Sequence, residues 1–282
     1  MLISDALNTG QGEKGNELTV NSAKTVQPVA LMRLGVFVPK PARKKGGSLS
    51  IDATDTLSSL SIMKAEGFSN VHILGPRLDM EMDFRIWVGI LQAFNAHNHK
   101  GNTVDLSFRE FAKYCGFPTK RLDKPLRTKF QFSMAKLRAK TLSFTNQEKT
   151  KSYVTGLVKT ASVDMENDVV QLEADPRIWE IYRDEYRVLL RLKALNQLAK
   201  QELAQTLYTF FESLPPKPFP VSFDRLRDRV CLTSEIKGQN RAIKKGLEKL
   251  KEIGYLDYSL TVKDRENYVI IHSRTPDLKP EA

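Results

Sequence analysis

A short polar segment in the second half of the chain carries side-chain types that can read DNA bases. Asparagine and glutamine can pair with the edge of adenine in the major groove, and arginine and lysine can pair with guanine. An apolar stripe at helical spacing follows, made by Ile243, Leu247 and Leu250, so the polar side chains begin a helix and face away from its buried side. We therefore predict base reading by Gln239, Asn240, Arg241 and Lys244.

Basic residues are concentrated in one segment of the first half. Residues 113–140 contain nine lysines and arginines against a single acid, Asp123. A run of one sign repels itself unless a polyanion is bound, and these side chains position a protein on the DNA backbone without reading sequence. We predict phosphate contacts here by Lys120, Arg121, Lys124, Arg127 and Lys129, and in the second half by Lys237, Lys245, Lys263 and Arg265.

The alternative for both segments is an ordinary solvated surface. In the second segment it would include an i,i+4 ion pair between Lys244 and Glu248. Nine basic residues stand against five acidic ones in residues 222–255, so the charge excess there is smaller than in the first segment.

Enzyme motifs are weak in this chain. His97-Asn98-His99 has the His-x-His spacing of the metal site in rolling-circle nickases, but Asn98 lies in a polar turn and not between apolar positions of a strand. No Gly-x-x-x-x-Gly-Lys-[Ser/Thr] phosphate loop is present, which argues against an ATP-driven activity. We therefore expect no catalytic residues, no metal and no cofactor. A loose acidic cluster is expected to be solvated: Asp164, Glu166 and Asp168.

Length and composition are typical of a soluble globular protein of about two domains. Of 282 residues, 41% are hydrophobic and 27% are charged, and the formal net charge is +11. This excess favours nucleic acid as partner first and an acidic membrane surface second. Because no apolar run could span a bilayer and no signal-peptide pattern opens the chain, we expect a cytoplasmic protein without a membrane partner. Cys115 and Cys231 are predicted as buried thiols.

The order of elements repeats in the two halves. In the first half the periodicity predicts a helix around residues 84–94, a strand at 103–106, two helices up to about residue 140, and hairpin strands at 141–145 and 153–163. The second half repeats this order, with hairpin strands at 255–258 and 267–271. Ser107 and Ser222 are predicted to cap equivalent helices. Leu142 and Leu256 predict the same distance from helix to hairpin in both halves.

This repeat predicts an α+β fold of two tandem winged helices, in which the third helix of a unit enters the major groove and the hairpin lies along the backbone. A parallel α/β sheet is a weaker alternative because the strands come in adjacent pairs. We predict a flexible basic arm at residues 1–65, a first winged helix at 66–190, a second at 191–275 and a tail at 276–282. The arm is rich in small polar residues and lacks a sustained period.

The join between the halves carries a recognisable pattern. It contains a strand at residues 169–172, Pro176, an apolar segment at 186–190, and the helix Ala204-Gln205-Thr206-Leu207-Tyr208-Thr209-Phe210-Phe211. An Ala-x-x-Leu-Tyr-x-x-[Leu/Phe] helix recurs at the start of the second winged helix in a known family. Over residues 84–274 the chain resembles the iteron-binding replication initiator (Rep) proteins of theta-replicating bacterial plasmids. The long arm and the strongly basic helix near residue 130 depart from the family pattern.

The resemblance implies a non-enzymatic, DNA-binding protein of the bacterial cytoplasm. Monomers of such proteins bind direct repeats (iterons) in double-stranded origin DNA, help to open an adjacent A·T-rich stretch, and recruit the host initiator and the replicative helicase. Dimers joined through the first winged helix often repress their own promoter at an operator inverted repeat. The energy for opening would come from binding and DNA deformation. Two other classes stay open, a winged-helix transcriptional regulator and a rolling-circle-type nickase.

Overall fold

A computed structural model of the chain describes residues 21–41, 48–58, 63, 67–97, 102–120, 122–164, 166–174, 181–182 and 187–275. Its elements in chain order are β1 (Lys24–Pro28), α1 (Val29–Arg33), β2 (Ser48–Asp52), β3 (Asn70–Pro76), α2 (Asp83–Ala96), β4 (Thr103–Ser107), α3 (Phe108–Tyr114), α4 (Lys124–Ala139), β5 (Thr141–Thr145), β6 (Ser152–Gly156), β7 (Thr160–Asp164), β8 (Val169–Glu173), β9 (Arg187–Arg191), α5 (Leu192–Gln197), α6 (Glu202–Glu212), β10 (Val221–Ser222), α7 (Phe223–Val230), α8 (Ile236–Glu252), β11 (Leu256–Lys263) and β12 (Glu266–Arg274). No helix in the described ranges is long and apolar enough to cross a membrane.

The first winged helix consists of α2, β4, α3, α4 and the wing strands β7 and β8. The three strands form an antiparallel sheet in the order β4-β8-β7. Ser107 caps α3, as predicted, because its hydroxyl accepts a hydrogen bond of 3.1 Å from the backbone N–H of Glu110.

The second winged helix repeats this arrangement with α6, β10, α7, α8, β11 and β12. Its sheet has the equivalent order β10-β12-β11, and Ser222 caps α7 by accepting a hydrogen bond of 3.2 Å from the N–H of Arg225. The predicted tandem winged-helix fold is therefore confirmed.

The predicted wing of the first unit was wrong. Residues 141–145 and 152–156 do form a hairpin, with Leu142 opposite Thr155, but it belongs to a separate sheet of order β2-β3-β5-β6. This hairpin is inserted between α4 and the true wing, so the two units do not share one helix-to-wing distance. The alternation of Leu142 and Phe144 predicts a strand but cannot name the partner on its other edge, which is β3.

The predicted flexible arm was also wrong over the part that the structure describes. Residues 1–20, 42–47, 59–62 and 64–65 of the predicted arm lie outside the described residues. β1 pairs antiparallel with β9, and α1 buries Ala30, Leu31 and Met32. Gln27 is fully buried, and its Oε1 accepts hydrogen bonds from Trp87 Nε1 at 3.2 Å and Tyr182 Oη at 3.1 Å. A segment this short shows no period of its own, because its partners are far away in the sequence.

Residues 24–40 contact both winged helices and join them. In the second unit Arg229 donates hydrogen bonds to the carbonyls of Met32, at 2.6 Å, and Phe37, at 3.0 Å. Lys40 lies 3.5 Å from Asp79 in the first unit and 3.5 Å from Glu202 in the second. The core is correspondingly continuous from the first unit to the second.

Lys140 is a buried cation at the end of α4. It is 0% exposed, and burial lowers its pKa to about 8 from an ordinary 10.5. Between these values the folded chain holds a neutral lysine while the unfolded chain holds a charged one, so the unfolded state binds more protons and stability rises with pH. We expect the free energy of unfolding of the wild type, relative to Lys140→Met, to increase from about pH 8 to about pH 10.5, as measured by urea unfolding. A constant difference across this window would contradict the prediction.

Candidate nucleic-acid interface

The outer face of α8 forms a shallow groove that contains most of the predicted base-reading residues. Its inner face buries Ile243, Leu247 and Leu250, and Gly246 lets α8 approach α6 closely, since a Cβ there would lie 2.3 Å from Leu203 Cδ2. Positions four apart therefore line the groove on the other side: Ile236, Lys237, Asn240, Arg241, Lys244, Lys245 and Glu248.

Four cationic side chains in this groove are exposed and have no internal partner among the described residues. Lys237, Arg241, Lys244 and Lys245 are exposed, and within the described part of the chain their side chains make no hydrogen bond or ion pair. The alternative ion pair between Lys244 and Glu248 is absent from those residues. The donors of these side chains are therefore available to a partner.

Gln239 and Asn240 differ from these cations because each is already hydrogen-bonded. Gln239 donates from Nε2 to the carbonyls of Leu232 and Ser234, which holds the turn before α8. Asn240 accepts a hydrogen bond of 2.7 Å from Arg227 Nη1 at its Oδ1, which leaves its NH₂ group to donate outward. Base reading by Gln239 would require it to leave this turn, so Arg241 has the strongest support among the predicted readers.

Arg227 is a residue that the sequence analysis missed. Besides Asn240, its guanidinium contacts Asp224 at 3.0 Å and Glu266 at 3.4 Å, so it connects α7, α8 and the start of β12 beside the turn of the wing. Its side chain is 11% exposed. The i,i+3 spacing from Asp224 was the one available signal in the sequence, and it does not reveal the contact with Asn240.

The wing of the second unit presents Lys263 and Arg265 at its tip. Lys263 pairs with Glu266 across a two-residue turn, and the two turn residues, Asp264 and Arg265, have φ of 50° and 65°. This backbone is the one that matches the twist of a hairpin, although glycine or asparagine usually occupies it. Both basic side chains are exposed, as phosphate contact requires.

The predicted phosphate contacts of the first unit divide into two groups. Lys120, Lys124 and Lys129 are exposed, and Arg121 lies outside the described residues. Arg127 instead has internal partners: it pairs with Asp168 at 2.9 Å, and its Cζ lies 4.4 Å from the centre of the Phe108 ring. These contacts connect α4 to the wing of the first unit, and phosphate contact by Arg127 stays a prediction.

The positive charge of residues 113–140 is less available at the surface than the sequence suggests, because the fold pairs one of these cations with acids and buries another. Lys136 forms an ion pair with Asp83 and lies 3.7 Å from Asp79, while Lys140 is buried. The acids that neutralise Lys136 come from the start of α2, about fifty residues away. The outward face of α4 also carries Gln131 and the 69% exposed Phe132, which the sequence analysis did not consider as DNA contacts.

The candidate enzyme residues have ordinary partners where the structure describes them. Asp164 accepts hydrogen bonds from the backbone N–H groups of Glu166 and Asn167 and from the side-chain amide of Asn167 at 2.7 Å. The side-chain bond from Asn167 is the main reason that the pKa of Asp164 is lowered. His97 lies 3.2 Å from Glu110, and Asn98 and His99 are outside the described residues. No group of three potential metal ligands occurs in the described ranges. Cys115 is buried as predicted, whereas Cys231 is only half-buried.

Comparison with known proteins identifies the family. The family model described as "Initiator Replication protein, WH1" matches residues 79–212. The chain is 53% identical to the replication protein RepA of Escherichia coli over 98% of its own length and 97% of the relative. The chain belongs to the initiator replication proteins. It is also 46% identical to a replication protein RepA of Salmonella typhi, over 99% of this chain and 81% of that one.

The fold of this initiator agrees with a solved structure. Domains 2 and 3 of RctB superpose with a TM-score of 0.54 over 87% of this chain and 98% of that one, at 13% identity. At this identity the likeness concerns the fold alone. The family match over residues 79–212 starts just before α2 and ends with α6, so it contains the whole first winged helix of the initiator.

Proposed function

We propose that this replication initiator binds direct repeats (iterons) in the double-stranded origin DNA of a bacterial plasmid. The second winged helix, residues 191–275, reads bases through α8, with Arg241 as the main reader beside Asn240 and Lys244. The first winged helix, residues 66–190, and the wing tip at Lys263 and Arg265 contact phosphates.

The groove along α8 is the observation that carries this proposal. In a winged helix the third helix is the element that fits the major groove, and here it exposes cations with no partner in the described part of the chain. Duplex DNA supplies guanine edges and phosphates for these donors. Arg227 and Glu266 hold the wing against α7, so helix and wing meet one duplex as a unit.

The remaining steps of initiation are proposed from the resemblance to the family. We propose that binding and bending open an adjacent A·T-rich stretch without nucleotide hydrolysis, and that the protein acts as a non-enzymatic platform for the host initiator and helicase in the cytoplasm. We also propose a monomer–dimer equilibrium in which the dimer represses its own gene. α2 is buried along most of its length, so a dimer contact in the first unit has to use another surface or displace β1.

Footprinting on the DNA that flanks the coding region tests the proposal. Protection of several tandem repeats in one orientation is expected. Protection of one palindrome alone would favour a transcriptional regulator instead. A covalent protein–DNA product formed on supercoiled DNA with a divalent metal would favour a nickase.

The exposed lysines near the start of α4 should determine part of the salt dependence. Replacing Lys120, Arg121 and Lys124 together with glutamine is expected to lower the slope of log K against log salt by up to about 0.9 per lost contact, because each phosphate contact releases a counterion. The loss should be equal on cognate and random duplexes. Lys251→Gln is the matched control, because it removes an exposed lysine from the last turn of α8, outside the groove. An unchanged slope in the triple variant would show that this segment is a solvated surface.

A further inference from the structure

An apolar row runs along the outward face of α4, the third helix of the first winged helix. Phe132 is 69% exposed, and Ala135 and Ala139 are exposed as well. Together with the half-buried Thr128 these positions are three or four residues apart, so they share one side of the helix. The opposite side is buried and carries Phe130, Met134 and Leu137. The row is therefore turned away from the core, and the phosphate contacts proposed above do not use it.

Cations border this apolar row on both sides. Successive residues of a helix are rotated by about 100°, which places Lys129 on one side of the row and Lys124 and Arg138 on the other. All three are exposed and form no ion pair within the described residues. A helix in the major groove has bases before its middle and the phosphates of the two strands along its borders. A second copy of this face would bring like charges together, so the charges favour DNA as the partner.

The side chains of the row offer no free hydrogen-bond donor to a base. Phe132 and Ala135 are apolar, and the hydroxyl of Thr128 already donates to the carbonyl of Lys124 at 3.0 Å. Thymine is the base that presents a methyl group in the major groove, and phenylalanine, alanine and the methyl group of threonine are side chains that contact it. The chemistry of the row therefore matches thymine.

The wing of the first unit does not share the basic character of the second wing. Its turn carries Asp164 and the exposed Glu166, where the second wing has Lys263 and Arg265. Acidic side chains are repelled by phosphates. The contact of the first unit with DNA therefore depends on α4 itself.

We propose that Phe132, with Thr128 and Ala135 beside it, contacts thymine methyl groups in the major groove and so determines part of the sequence specificity. This inference rests on the proposed binding of direct repeats, and it adds base reading to a unit to which we assigned phosphate contacts alone. Residues 128–135 extend over about 10 Å of the helix axis, which corresponds to about three base-pair steps. We therefore expect one or two contacted thymines in the part of each repeat that the first unit covers.

Replacing single thymines of the repeat with deoxyuridine tests the contact, because uracil lacks only the methyl group and keeps the base pair. The full chain is titrated with a set of repeat duplexes, each carrying one such replacement, at one fixed salt concentration. At one or two positions the wild type should bind about fourfold more weakly, which is the effect of losing one buried methyl group. Equal binding to every duplex of the set would overturn the proposal.

Variants assign the methyl effect to the row on α4. Phe132→Ala should bind the unmodified repeat about tenfold more weakly and should no longer distinguish thymine from uracil at the contacted position. Val154→Ala, which truncates a 58% exposed valine on β6, is the matched control and should keep the wild-type pattern. A wild-type pattern in Phe132→Ala would overturn the proposal. If that variant also shifts the monomer–dimer equilibrium in sedimentation, the row is a contact between protein copies.

Arg241→Ala separates this inference from the proposed function of α8. This variant should lose preference for the repeat over a scrambled duplex and still keep the methyl effect that depends on Phe132, because α4 and α8 belong to different units. Loss of that effect in Arg241→Ala but not in Phe132→Ala would assign the thymine to α8 and overturn the inference alone. A wild type without preference for the repeat would refute the proposed function and this inference together.

Discussion

Arg241→Ala is expected to weaken binding to the cognate repeat by about 1–3 kcal/mol and binding to random duplex much less. A lost pair of hydrogen bonds to a guanine edge removes discrimination, whereas a lost phosphate contact weakens all sequences about equally. Arg241 is exposed and keeps its donors uncommitted within the described residues, so the change should leave the fold intact. The measurement is a competition titration of repeat against scrambled duplex at one fixed salt concentration.

Two variants on the same unit serve as controls for Arg241→Ala. Arg265→Ala at the wing tip should weaken both duplexes equally, because it removes a phosphate contact. Asn240→Ala should reduce discrimination at an adenine. This reduction should be smaller than the one caused by Arg241→Ala, since Asn240 Oδ1 already accepts a hydrogen bond from Arg227. Equal losses on both duplexes for Arg241→Ala would refute base reading at this position and direct the search to the first unit.

Phe130→Ala is expected to lower the free energy of unfolding by about 3–5 kcal/mol. Phe130 is fully buried on the inner side of α4, where its ring makes edge-on contacts with Phe108, Phe111 and Phe117 at centroid distances of 5.0, 5.8 and 5.1 Å. Removing it leaves a cavity between α3 and α4 and ends three aromatic contacts. Chemical denaturation followed by circular dichroism measures the effect.

Phe132 gives a matched control two residues further along α4. It is 69% exposed, so Phe132→Ala removes the same number of atoms from a surface position and should change stability by less than about 0.5 kcal/mol. A comparable loss in the two variants would contradict the orientation of α4. If Phe132→Ala leaves stability unchanged, any effect of this variant on DNA binding would come from a contact between the outward face of α4 and DNA, and not from a change in folding.

Local patterns in the sequence were sufficient for the three helices of each winged helix and for their order. The i,i+3/i+4 spacing of Ile243, Leu247 and Leu250 oriented α8 correctly, because a helix buries one face and exposes the other whatever it packs against. Ser107 and Ser222 correctly marked two helix starts. This signal is also local, because an N-cap depends only on neighbouring backbone N–H groups. The exposed cations of α8 follow from this local geometry.

Partners distant in the sequence were not predictable. β5 could be recognised as a strand, but not its pairing with β3. Because of this pairing β5 belongs to a separate sheet, and the wing of the first unit is formed by residues 160–173. β1 and α1 have no amphipathic period, and they are ordered because β9, Trp87 and Arg229 bury them. A short segment takes its stability from such remote contacts, which local spacing does not contain.

The sequence alone determined that this is a basic protein of two winged helices whose last long helix turns cations outward, since periodicity and capping are local properties. Only the tertiary structure decided which charges are available. It paired Arg127 with Asp168 and Lys136 with Asp83, bound the amides of Gln239 and Asn240, and buried Lys140 near Arg77. The physical reason is that a charge interacts with whatever lies within a few ångströms, and folding brings these groups together from positions far apart in the chain.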